Sequence, residues 1–441
     1  MKSIILLVII LATCRGNIFS HRAGRHLIAP IINVRFKEGT SSPGDLDQML
    51  SQEAWDFISK REKTFRLPNL DAWVREKIYV PGKPLPTPNL NLWVSLYLRD
   101  GASADFVVEE LNSLAVVDVV ELITEIPDLP STNHRHSQRE LQATTRDFQW
   151  GQIHLGPAPY GIDAEYAWSL GITGAGVKVY DIEFGWNRDH EDLQLSVPVL
   201  SDGTPVNDQD PNNRHGTAVL GVLVSIGNNG LGMRGICFDA DVGLSAVSTE
   251  EYDYNPANAI LLAVQDGNPG DVILIEQQAL ACGTEDHGPL EYYQTVYDAT
   301  TFATANGFIV VAAAGNGDLD LDDVDCKGYF NESQSDSGAI IVGAGRPPHY
   351  EVPRVKHSFS SYGSRVDAQG WGSKVWTLGS GDLWYDSDDP TNINKYYDDD
   401  FGGTSSASTF VAGAATLLQS YSKRRYGMLL SPVQMRNVSL P

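Results

Sequence analysis

The sequence predicts an α/β protein: a doubly wound, mostly parallel sheet with helices on both faces, preceded by a smaller α+β region. Three observations predict it. Short β-branched runs such as Val272-Ile-Leu-Ile275 and Phe308-Ile-Val-Val311 read as strands buried on both faces. Small-residue apolar runs of helical length alternate with them. Residues 21–148 lack that alternation and carry isolated strands and a proline-rich stretch.

Each element follows from its residues. Strands are expected at 176–183, 242–247, 272–275, 307–314, 338–342 and 365–367, and helices after His215, across 288–306 and after Ser405. Residues 272–314 form one β-α-β unit, because parallel neighbours need a long crossover. In the N-terminal region, Ile31 to Phe36 is extended, Trp93 to Leu98 alternates as a strand, Ser103 to Leu114 reads as a helix and Asp118 to Ile123 as a strand. The Val80–Pro88 stretch is a spacer, and Ser131–Arg139 is an exposed linker where processing could occur.

Met1 to Thr13 places a lysine before an apolar stretch too short to span a bilayer, which reads as a secretory signal within residues 1–20. No other run is long and apolar enough for a membrane span. The net charge of −24 argues against nucleic acid and anionic membranes as partners and suits a soluble protein; a monomer is expected. With the signal removed, Cys237, Cys282 and Cys326 remain. Cys282 and Cys326 leave the same sheet edge, so a disulfide between them is expected in an oxidising compartment; free buried cysteines are the alternative.

Four islands carry chemistry. Asp181 ends a β-branched strand in Gly176-Val-Lys-Val-Tyr-Asp-Ile-Glu183, and His215 opens an apolar helix in Arg214-His-Gly-Thr217. Asn316 closes the strand ending Ala313-Ala-Gly-Asn316. Ser405 opens a small-residue helix in Gly402-Gly-Thr-Ser-Ser-Ala-Ser408. Singly, these read as a turn acid, a core histidine, a turn asparagine and a helix cap. Together, in the order acid, histidine, serine, they supply an orienting acid, a general base, a nucleophile and an oxyanion donor.

On these motifs the chain resembles the subtilisin-like serine peptidases, the subtilases, over roughly residues 150 to 420. The resemblance implies a peptidase domain at 149–441 and a serine endopeptidase acting through Asp181, His215 and Ser405 with Asn316 at the oxyanion. It implies polypeptide substrates and no cofactor in the chemistry, and a 21–148 propeptide that inhibits the enzyme until removed. An ordinary accessory domain is the alternative for that region. Glu276, Gln277 and Gln278 take the place of one wall of the primary specificity pocket, and Ala313, Ala314 and Gly315 the other. An acid at 276 there suggests selection of Lys or Arg. The resemblance also makes Asp192 and the Asn228–Gly232 loop candidate ligands of a structural calcium. Acidic Asp318–Asp325 lacks the glycine and distal glutamate of a helix–loop–helix calcium site, and solvated acidic loops are the alternative reading.

Departures are Ile182-Glu183 after the acid and Thr409 where the family commonly has proline. The family continues further past the serine helix than Gln419 to Pro441, so the domain reads as shortened at its C-terminal end. A catalytically silent secreted binding protein of this fold is the rival function. Asn331-Glu-Ser and Asn437-Val-Ser are glycosylation sequons.

Overall fold

The structure is a computed structural model describing residues 25–39, 46–67, 70, 87–127, 146–157, 160–193, 195–206, 214–348, 350 and 352–439. The expected signal, most of the proline-rich spacer and the 131–139 linker lie outside the described residues.

The N-terminal region runs β1 (Arg25–Phe36), α1 (Leu46–Met49), α2 (Gln52–Phe57), β2 (Ile58–Lys63), β3 (Trp93–Leu98), α3 (Ala104–Ser113) and β4 (Val117–Pro127). Its four strands form one sheet in the order β2-β3-β1-β4, and β1 is antiparallel to both β3 and β4. Ser103 caps α3 by accepting from the Phe106 N–H, and Val107 and Leu111 turn inward onto Ile32, Val34 and Leu96. The strand–helix–strand unit read from the sequence is therefore present, with β1 inserted between its strands.

The larger region comprises α4 (Ala164–Ser169), β5 (Lys178–Glu183), β6 (Val199–Leu200), α5 (Arg214–Val224), β7 (Asp241–Ala246), β8 (Ser248–Thr249), β9 (Asp253–Tyr254) and α6 (Pro256–Asp266). It continues with β10 (Val272–Ile275), β11 (Gln278–Leu280), β12 (His287–Pro289), α7 (Gln294–Ala305), β13 (Ile309–Ala313) and β14 (Ile340–Gly345). β15 (Ala368–Trp371), β16 (Val375–Leu378), β17 (Tyr397–Phe401), α8 (Gly403–Tyr426) and α9 (Pro432–Ser439) complete it. Seven strands make one parallel sheet in the order β15-β14-β13-β10-β5-β7-β6.

Strand alternation decides which helices cover which face. Val179, Leu244, Leu274 and Val311 meet Val219, Leu223, Ala407 and Phe410 of α5 and α8. Tyr180, Ile182, Ile273 and Val310 meet Ile260, Ala263, Ala299 and Phe302 of α6 and α7. The β5-β10-β13 core confirms the doubly wound reading. One expected strand moves: 365–367 is irregular, because buried Arg365 turns inward to bond Glu291, Asp367 and the Ala339 carbonyl, and pairing starts only at Ala368.

The N-terminal sheet lies over α6 and α7, with Ile31, Phe65, Trp93 and Tyr97 joining their apolar cluster. Asp298 of α7 receives the Trp93 indole N–H and the Arg35 guanidinium, each at 2.9 Å. Thr295 donates to Glu121 at 2.7 Å.

Cys282 and Cys326 are disulfide-bonded, tying the turn after β11 to the loop beyond β13, while Cys237 is buried and free. Because this link closes a loop of 44 residues, replacing both cysteines by alanine is expected to cost about 2–4 kcal/mol. Denaturant unfolding of the oxidised protein checks this; an unchanged midpoint contradicts it.

Candidate active site

The C-terminal edge of the parallel sheet gathers the chemistry-bearing residues, as open α/β sheets do. Glu183 ends β5, Glu276 follows β10 and Asn316 lies just beyond β13, on three adjacent strands. His215 is the second residue of α5 and Ser405 the third of α8, and both helices cover the same sheet face.

The imidazole contact corrects the sequence expectation. His215 Nδ1 lies 2.5 Å from Glu183 Oε2, and Asp181 is not its partner. A carboxylate can only accept, so Nδ1 is the donor, and in the neutral imidazole Nε2 then holds the lone pair. The other Glu183 oxygen accepts from the Phe184 N–H at 2.6 Å. The physical reason is strand periodicity: residues 181 and 183 share a face, and 183 lies further toward the edge where α5 begins. Asp181 sits behind it, fully buried, accepting from the Trp186 indole N–H at 2.7 Å. That period of two was the signal in Asp-Ile-Glu that could have flagged Glu183.

Gly216 makes this approach fit. A Cβ there would stand 2.5 Å from the Gly185 carbonyl oxygen and 2.7 Å from Glu183 Cγ. The imidazole also meets the Phe401 ring edge-on at 5.7 Å.

At α8 the cap alternative for the serine falls away. Gly402 is the N-cap, and Ser405 Oγ is buried with no bond to any described residue, as is His215 Nε2. Of the helix's first N–H groups, that of Gly403 goes to the Gly372 carbonyl and that of Thr404 to Asn316 Oδ1 at 2.8 Å. The Ser405 N–H has no acceptor among the described residues. Thr404 donates to Asn316 Oδ1 through its hydroxyl too, which fixes the amide: its oxygen faces Thr404 and its NH₂ faces away as a donor. Thr409 donates its hydroxyl to the Ser405 carbonyl at 2.8 Å, so the residue standing where proline is common ties down the same turn.

The pocket-wall assignment for Glu276 is corrected as well. Glu276 is 1% exposed and faces Asp181 and Glu183, each of the three bringing a carboxyl oxygen within 4.8 Å of the others. Burial first, then the neighbouring acids, pushes Glu276 far above the usual carboxylate range; an acid so placed offers no exposed charge to a Lys or Arg side chain. Asp181 is raised likewise, by burial and then by Glu183. Gln277 is buried and donates to the Ile182 carbonyl at 2.6 Å, whereas Gln278 accepts from the Asn316 N–H at 2.9 Å. Ala313 and Ala314 are buried, and Gly315, at φ +92°, turns the chain where a Cβ would strike the His287 carbonyl.

Asp192 and the 228–232 loop do not fit calcium. Asp192 accepts from the Met233 N–H at 2.7 Å and from the Asn229 amide at 2.8 Å, so donors rather than converging oxygens surround it. Burial pushes its carboxyl up to about 7.

The subtilase family profile, peptidase family S8, matches residues 132–440. The chain belongs to the subtilase family. Its relatives among characterised sequences include Furin-1 of Xenopus laevis, 28% identical over 43% of this chain and 26% of that protein. Another is furin-like protease 2 of Drosophila melanogaster, 30% identical over 44% of this chain and 12% of that protein. This subtilase thus matches only a minor part of each relative. Fervidolysin from Fervidobacterium pennivorans, a keratinolytic enzyme related to subtilisin, shares the fold at TM-score 0.56 and 19% identity, covering 95% of this chain and 58% of that one.

A strongly bonded Nδ1–H gives a far-downfield proton resonance. The expected outcome is that this resonance disappears in Glu183→Gln and persists in Asp181→Asn. Loss in the second and retention in the first returns the imidazole to Asp181.

Proposed function

We propose that this subtilase is a secreted serine endopeptidase in which Glu183, rather than Asp181, orients the base. The observation that carries the reading is the Glu183–His215 contact on the sheet face that α8 also covers, with a Ser405 hydroxyl and a His215 Nε2 that are both buried and bonded to no described residue and an uncommitted Ser405 N–H. His215 Nε2 takes the Ser405 proton as Oγ attacks a peptide carbonyl, and returns it to the leaving amine. Glu183 holds the tautomer and balances the imidazolium. The Ser405 N–H and the Asn316 amide donate to the oxyanion. Water then attacks the acyl-enzyme on Ser405, His215 Nε2 taking its proton and returning it to Ser405 Oγ as the carboxylic acid leaves.

Residues 21–148 act in this reading as the chain's own inhibitor. Support comes from a folded sheet that packs through Trp93, Arg35 and Phe65 on α6 and α7. Secretion and glycosylation at Asn331 and Asn437 accord with an internal disulfide and with the exposure of both asparagines. Among the described residues no helix is long and apolar enough to cross a membrane.

A fluorophosphonate probe tests the reading directly. The mature enzyme is expected to label, and Ser405→Ala to lose labelling completely; a labelled Ser405→Ala protein, or an unlabelled mature enzyme, sinks it. Glu183→Gln is expected to lower kcat by about 10⁴, as in other serine triads. Asn316→Ala should cost about 10²–10³, the loss known for subtilisin's own oxyanion asparagine. Titrating kcat/KM with a peptide ester separates these effects.

A further inference from the structure

Three buried carboxyl groups and one imidazole pose a problem of charge. Asp181, Glu183 and Glu276 are each at most 1% exposed, on one face of two neighbouring strands. Leu274 pairs with Asp181 across the sheet, so Glu276, two residues on, stands beside Glu183 on the shared face. The other ionisable groups acting on the trio are His215 from α5 and Tyr254 from β9, and neither Asp181 nor Glu276 has a Lys or Arg partner among the described residues. Three ionised carboxylates against a single imidazole cannot persist in so dry a site.

The donors identify where a proton must be. Glu183 uses both oxygens, on His215 and the Phe184 N–H. Asp181 receives the Trp186 N–H on one oxygen. Its second oxygen and both Glu276 oxygens face no N–H or O–H of any other described residue. The two carboxyl groups lie against each other, and a proton on Glu276 satisfies the Asp181 oxygen. A metal ion spanning the trio would instead compete with His215 or the Phe184 N–H for a Glu183 oxygen.

Resting on the Glu183–His215–Ser405 reading, we infer that Glu276 is a positioning residue held as the neutral acid: its proton bridges to Asp181, and this pair, locked by the Trp186 N–H, supports Glu183 and leaves it the carboxylate that faces His215. Glu276 touches no reacting atom. It acts through Asp181 and Glu183.

The sign of the linked pH effect is fixed. A carboxyl group kept protonated in the folded chain but ionised in the unfolded chain favours folding most at low pH. That advantage falls as pH rises from the ordinary glutamate value of about 4.3 toward the raised folded value. Burial is the largest cause of that raised value, followed by the neighbouring acids.

The experiment uses the full chain carrying Ser405→Ala, so that self-cleavage cannot intervene, and reads the folding constant by denaturant between pH 5 and 8. Glu276→Gln, which still donates to Asp181 but cannot ionise, is expected to gain on its parent by up to about tenfold in the folding constant per pH unit. A difference independent of pH, or one of opposite sign, overturns the proposal. If Glu276→Gln does not fold, Asp181→Asn supplies the second arm, with the same direction expected. A chelator should leave the curve unchanged; stabilisation that a chelator removes assigns the trio to a metal and overturns the shared proton. In the active chain, Glu276→Gln should retain kcat/KM about tenfold above Glu276→Leu, which leaves the Asp181 oxygen unpaired. Equal losses in both remove the positioning role. Because the folding arm needs no hydrolysis, it fails independently of the fluorophosphonate test.

Discussion

The hydrogen bond from His215 to Glu183 is the interaction around which the larger region is organised. It joins a helix on one layer to the end of a central strand in the next, so it exists only if the sheet is parallel and its carboxyl ends meet the start of α5. Gly216 is bare because the strand end and the Trp186 ring approach too closely for a Cβ. Thr404 then couples the serine helix to Asn316, so α5, α8, β5 and β13 meet through side-chain bonds at one edge.

Such an arrangement is costly in electrostatic terms. A low-dielectric site strengthens the bond between imidazole and carboxylate but penalises every further charge beside it. The fold places two more acids there, buried against each other with an indole donor, and the proposed shared proton limits them to a single charge. The acid pair and the imidazole–carboxylate pair are neighbouring halves of one polar island inside an otherwise apolar layer built from Val179, Leu274, Leu223 and Phe410.

Much of this was legible in the sequence, for physical reasons. Val272–Ile275 and Ile309–Ala313 are rich in β-branched residues and apolar throughout, so their burial and parallel pairing follow from composition, and the crossover length fixed their adjacency. The disulfide followed from that adjacency. His215, Ser405 and Asn316 sit at element ends, where polar side chains stand out against apolar runs. Asp181 misled because two acids two residues apart share a face, and only the offset of α5 along β5 decides which one meets the ring. Glu276 misled because a residue just past a strand can turn inward or outward, and the inward turn depends on partners 95 residues away, as the Gln277–Ile182 bond shows. Arg365 was read within a strand, although its buried ion pairs pull the backbone out of the ladder.

The placement of Asp181 and Glu183 on one strand face has an evolutionary consequence. A lineage can pass the histidine's partner from one strand position to the next on the same side without moving the histidine, provided the longer side chain arrives before the shorter one is released. Alignment columns record identity at a position, whereas the imidazole responds to whichever oxygen reaches it. In this chain, then, the motif aspartate and the carboxylate that meets the imidazole are separate residues.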